Sequence, residues 1–156
     1  MEFSIRLVKK EEISAVASIY TEAFNKAGIT EKWTQGKAEE FMNWWFEHQP
    51  DLFFVAIHKE QLIGGIVAGI KPWWIGKNLV DGELFVHPDF QKQGIGKELL
   101  RALLEEAIRK YEIIEFESLT DKSHEFPLSW YRKLGMGETT LVHIAGKPKE
   151  ILKKLN

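Results

Sequence analysis

Cysteine is missing from the 156-residue chain, so disulfides, thiolate metal sites and a cysteine nucleophile are all excluded. No apolar run reaches membrane-spanning length. Charge of one sign is not in excess either: 21 basic residues face 23 acidic ones, a formal net charge of −2. That balance argues against bulk electrostatic binding to nucleic acid or to a membrane, and a small partner is expected. The start, Met1-Glu2-Phe3-Ser4-Ile5-Arg6, lacks the apolar core of a signal peptide, so a cytoplasmic location is expected. The five histidines stand at no metal-ligand spacing, and no metal is expected. Repeats and low-complexity tracts are also lacking, which leaves one domain over residues 1–156, long enough to bury a substantial core.

What is present is periodicity. Residues 3–8 alternate as a strand, and Ile13, Val16, Ala17, Tyr20, Ala23 and Phe24 place one apolar stripe on a helix that Gly28 stops. Thr34 caps a second helix carrying Ala38, Phe41, Met42 and Trp45, which Pro50 ends. Leu52 to Ile57 and Leu62 to Ile70 read as a hairpin, and Gly64, Gly65 and Gly69 inside it point to close approach of another group. A loop is expected over 71–78, a turn at Asp81-Gly82 and a strand over 83–86. A long amphipathic helix then runs to Tyr111, followed by a strand over 113–119, a short helix over 128–134, a closing strand over 139–145 and a tail helix over 149–156. This order of elements predicts an α/β (α+β) fold with a mixed sheet.

The chemistry begins where the strand Leu84-Phe85-Val86 breaks at His87-Pro88 and turns through Gln91-Lys92-Gln93-Gly94-Ile95-Gly96-Lys97 into the long helix. Gly94 and Gly96 strip side chains from a helix start, whose unpartnered N–H groups and positive dipole end suit an anion. Lys92 and Lys97 add positive charge. A mononucleotide P-loop is excluded, because Glu98 follows Gly96-Lys97 where a serine or threonine would bind magnesium.

The segment from Leu84 to Leu100 resembles the acetyl-CoA motif of the GNAT superfamily of N-acetyltransferases, Arg/Gln-x-x-Gly-x-Gly/Ala after a bulged strand. Downstream, Trp130-Tyr131-Arg132-Lys133-Leu134-Gly135-Met136 is similar to the family's second motif, aromatic-Tyr-x-x-x-Gly-Phe. The resemblance covers nearly the whole chain. It implies a mixed central sheet of about six to seven strands flanked by helices, with a splayed strand pair holding the cofactor. It further implies that Leu84, Phe85 and Val86 pair with the pantetheine arm of acetyl-CoA, and that the turn from Gln91 through Lys92, Gln93, Gly94, Ile95, Gly96 and Lys97 holds the pyrophosphate. Tyr131 aligns with the residue that protonates the departing thiolate. An unperturbed phenol, with a pKa near ~10, carries its proton at neutral pH. The position commonly filled by a cofactor-contacting asparagine is His124 here, and the usual alanine is Pro127.

The implied reaction is direct attack of a primary amine on acetyl-CoA in a ternary complex, with no covalent enzyme intermediate. For an amine of pKa ~10.4, reaching the neutral form at pH 7 costs about 4.6 kcal/mol, so a base or a water relay helps. Glu83 is the first choice, where relatives often carry a glutamate, ahead of Glu117 and Asp81. Trp33, Trp73 and Trp74 fall in segments that wall the acceptor pocket in relatives, and aromatic walls suit an apolar or cationic amine. The acceptor is a small molecule or peptide amine, and homodimer formation is common among relatives. A second class fits the same motifs: a non-catalytic module of the same fold that senses acyl-CoA.

Overall fold

The computed structural model describes residues 1–28 and 31–155. The chain divides into two compact units, Met1–Leu119 and the part from Thr120 onward. The first unit runs β1 (Ser4–Leu7), α1 (Ile13–Lys26), α2 (Gln35–His48), β2 (Phe53–His58), β3 (Gln61–Trp73), β4 (Gly76–Val86), α3 (Ile95–Tyr111) and β5 (Glu115–Phe116). The strands form one sheet in that order, antiparallel except for the parallel pair β4–β5, which α3 connects as a crossover must. Among the described residues, no helix is long and apolar enough to cross a membrane.

Helix α1 buries Ile13, Val16, Ala17, Tyr20 and Ala23, the expected stripe, and Gly28 follows it with φ +73°, the left-handed conformation that ends helices. The Thr34 hydroxyl accepts a hydrogen bond from the Lys37 N–H at 3.4 Å and caps α2, whose Ala38, Met42 and Trp45 turn inward. Together α1 and α2 cover the sheet face carrying Phe53, Val55, Val67 and Phe85. Helix α3 lies over the opposite face, that of Leu84 and Val86, and buries Ile95, Leu99, Leu100, Leu103 and Ala107.

The glycines of β3 do admit close neighbours, and these are the protein's own groups. A Cβ at Gly65 would stand 2.7 Å from the Phe85 ring, and one at Gly69 would stand 3.3 Å from the Trp45 ring. At Gly64 it would meet the Phe85 carbonyl oxygen at 2.7 Å, and backbone in a ladder yields less readily than a side chain. Gly64→Ala is therefore expected to destabilise the protein by about 1–3 kcal/mol. An unchanged Tm in thermal denaturation would contradict so tight a β3–β4 contact.

Several expectations are corrected. Residues 71–78 form no loop: β3 continues to Trp73, Trp74 and Ile75 make the turn, and β4 starts at Gly76, because cross-strand pairs as far as Lys71↔Asn78 and Trp73↔Gly76 hold the hairpin to its tip. Asp81-Gly82 does not turn the chain. These two residues face Ala68 alone, so they form a bulge inside β4, with Asp81 at φ +57°. The strand expected over 113–119 shrinks to β5, since the bulged strand bends away beyond Leu79. The sheet accordingly has five strands among the described residues, against about six to seven expected.

In the second unit, α4 (Glu125–Lys133) has extended dihedral angles at Phe126, so its regular turns start where the short helix was expected, and Gly135 follows with φ +89°. Residues 139–145 form no strand among the described residues, and Leu141, Val142 and Ile144 are 78%, 79% and 85% exposed. Apolar patterning alone does not make a strand; the backbone must also pair. Helix α5 (Pro148–Leu155) matches the expected tail helix, whose last residue lies outside the described residues.

Candidate active site

β4 carries the site because only half of it is paired on both edges. Its ladder with β5 spans Asn78↔Glu115 and Leu79↔Phe116, closed by the Ile114 N–H to the Lys77 carbonyl at 3.0 Å and the Glu117 N–H to the Leu79 carbonyl at 2.8 Å. Past the bulge, the stretch from Glu83 to Val86 pairs with β3 alone among the described residues. A free strand edge of this kind offers N–H and C=O groups to an extended, amide-bearing ligand.

The turn that follows bares the start of α3 in a form that could hold an anion. The Gln91 side chain donates to the Val86 carbonyl at 3.0 Å and ties the turn to the strand end. Lys92 at φ +62° and Gly94 at φ +84° are both left-handed, and Gly94 is the N-cap of α3 with no side chain to cap it. The Glu98 N–H is the first to reach back, to the Gly94 carbonyl at 3.2 Å, so the N–H groups of Ile95, Gly96 and Lys97 have no intrahelical acceptor. Gly96 is the informative residue. A Cβ there would touch Leu84 and Val86 only at ordinary contact distance, 3.9 and 4.0 Å, so packing does not require glycine at a position where it weakens the helix. What its absent side chain does is bare the helix end, which fits a diphosphate.

Glu83 follows the bulge on the α1–α2 face of the sheet, opposite Val67. Tyr20, 1% exposed, donates its hydroxyl to Oε2 of Glu83 at 3.0 Å. Rings surround that phenol: Phe24 stacks on it at 4.2 Å between centroids, and Trp33 at 5.1 Å, Phe85 at 5.2 Å and Phe41 at 5.9 Å meet it edge-on. Burial pushes the Glu83 carboxyl up to about 7. The Tyr20 hydrogen bond opposes this, and Glu31 and Asp81 add to it by repulsion. Burial, and next the Glu83 charge, push the Tyr20 phenol well above its ordinary range.

The other two candidate bases differ. Asp81 is exposed on the bulge. Glu117, about a third exposed, accepts from the buried Asn78 amide and from the Lys71 ammonium at 3.4 Å, which occupies both of its oxygens. Trp33 is half-buried and pinned from both sides by Asn25, whose amide accepts from the Trp33 N–H at 2.9 Å and donates to its carbonyl at 2.8 Å. Trp73, beneath the Lys71 ammonium at 4.5 Å, is 49% exposed, and Trp74 at the hairpin tip is 84% exposed. In the second unit, Tyr131 sits on α4 beside Trp130, ring centroids 5.1 Å apart. His124 precedes that helix, its Nδ1 held 3.1 Å from Asp121.

The family model for the acetyltransferase (GNAT) family matches residues 13–136, a span that runs across both motifs. The chain belongs to that family. A curated relative, the L-amino acid N-acyltransferase MnaT of Escherichia coli (strain K12), is 30% identical over 111 residues, which make up 67% of this chain and 62% of that protein. Among solved structures, one of a possible acetyltransferase from Clostridium difficile 630 has a TM-score of 0.78 at 12% identity, covering 94% of this chain and 98% of that one. A predicted acetyltransferase from Clostridium acetobutylicum, solved with acetyl-CoA, has a TM-score of 0.73 at 17% identity, covering 93% and 96%. This family member therefore has the fold of the GNAT acetyltransferases.

Sequence reasoning placed Tyr20 in the apolar stripe of α1 and missed its hydroxyl. Its partner lies 63 positions away, and no spacing rule reaches that far.

Proposed function

We propose that this family member transfers the acetyl group of acetyl-CoA to a primary amine of a small molecule or peptide, by direct attack within a ternary complex. The observation that supports this most is a half-buried carboxyl, hydrogen-bonded by Tyr20 and pushed up to about 7 by burial, on the strand whose free edge leads into the bared helix end. The acetyl thioester supplies the activated acyl group. The free edge at Leu84, Phe85 and Val86 binds the pantetheine arm, and Gln91 to Lys97 hold the diphosphate. Glu83 takes the proton that the amine must shed, and at neutral pH it has comparable ionised and neutral populations, as a general base should. Trp33 walls the acceptor end, with Trp73 and Trp74 at the tip of the β3–β4 hairpin and Glu117 just past β5. Glu31 and Asp81 favour an acceptor that arrives as a cation.

Tyr131 enters through the second motif, as the donor of a proton to the departing thiolate, and His124 as a polar neighbour of the cofactor. Tyr131→Phe is expected to lower kcat roughly tenfold to a thousandfold with little change in the Kd for acetyl-CoA. Equal turnover in the variant would remove Tyr131 from the reaction.

The experiment for the whole reading is an acetylation panel with mass detection and thiol release. The name of the Escherichia coli relative puts L-amino acids at its head, followed by a polyamine, an aminoglycoside and a lysine-bearing peptide. Product from one class establishes the acceptor. Binding of acetyl-CoA with turnover of none identifies a sensor instead.

A further inference from the structure

A tyrosine hydroxyl inside an aromatic nest is costly unless it is bonded, and phenylalanine would fill the same space without that cost. Tyr20 is enclosed on several sides by Phe24, Trp33, Phe41 and Phe85, which fix its ring and therefore the direction of its hydroxyl. That direction is toward Glu83, itself still partly open to solvent. We propose that Tyr20 is a positioning residue of the transfer site: its hydroxyl, shut away from water, holds one oxygen of Glu83 and leaves the other to meet the acceptor amine. This rests on Glu83 being the base.

The groups facing Glu83 come from three elements. Tyr20 comes from α1, Glu31 from the connection between α1 and α2, and Asp81 from β4 itself. Both carboxylates favour a protonated Glu83, and the Tyr20 hydrogen bond is the counterweight that favours the ionised form. Without it, Glu83 would hold its proton further into the neutral range and be a poorer base at pH 7.

The test is a titration of the Glu83 side chain by carboxyl 13C NMR, in the parent protein and in Tyr20→Phe, which keeps the ring. The midpoint is expected to rise by roughly one pH unit in the variant. Site-specific fluorotyrosine at position 20, a stronger donor, is expected to move it the other way, which covers the case of a poorly folding Tyr20→Phe protein. In parallel, the acidic limb of kcat/KM for the fastest amine of the panel should shift with the NMR midpoint, and activity at pH 6.5 should fall roughly tenfold. Packing alone would move neither. An unmoved Glu83 midpoint overturns the role of Tyr20. If the limb also survives in Glu83→Gln, the base assignment itself has failed. If it disappears there but stays in place in Tyr20→Phe, Tyr20 alone is struck out.

Discussion

Replacing Glu83 with glutamine is expected to lower kcat/KM at pH 8 by about a hundredfold or more, the usual loss when a general base is removed. The pH dependence follows from the raised carboxyl. In the parent, Glu83 is neutral below about 7 and ionised above it, so activity should climb as pH passes through that value. In Glu83→Gln this limb should vanish, leaving only a rise toward the acceptor's own pKa, near ~10 for a lysine-like amine. A variant with the parental limb would place the base elsewhere.

The same substitution should stabilise the fold. Glu83 titrates at about 7 in the folded protein against an ordinary 4.5, so the native state holds its proton more tightly than the unfolded chain does. Below 4.5 both states are protonated and nothing is lost. As pH rises from 4.5 through 7, the folded state must ionise a half-buried group and loses stability relative to the unfolded chain. Glutamine removes that loss, a gain on the order of 1–3 kcal/mol at pH 8 and close to none at pH 4. Denaturant melts at the two pH values would show it. A variant that is less active and more stable is the signature of a group kept for chemistry at a cost to the fold.

Gly96→Asp is expected to raise the Kd for acetyl-CoA at least about a hundredfold while leaving the fold intact. The new Cβ has room, at 3.9 and 4.0 Å from Leu84 and Val86. A carboxylate in the first turn of α3 interacts favourably with the positive helix end, by about 0.3–1 kcal/mol, so Tm should hold or rise. The same carboxylate occupies the place proposed for the diphosphate and repels it. Calorimetry with CoA and a thermal melt on one preparation separate the two effects. Parental affinity in Gly96→Asp would mean that the diphosphate is held somewhere other than the start of α3.

Much of this was legible along the chain. The stripes of α1, α2 and α3, the Gly28 stop, the Thr34 cap and the turn from Gln91 to Lys97 are local patterns, fixed by side-chain spacing and by the conformational needs of helix ends. They determine the mixed α/β order, the family and the position of the bared start of α3. Tertiary structure decided what depends on partners distant in sequence: the bulge at Asp81-Gly82 that parts β4 from β5, the filling of Gly65 and Gly69 by the Phe85 and Trp45 rings, and the missing strand over 139–145. It also set Glu83 apart from Asp81 and Glu117 by burial and by a hydrogen bond from Tyr20, and neither is a property of the residue or its neighbours in the chain.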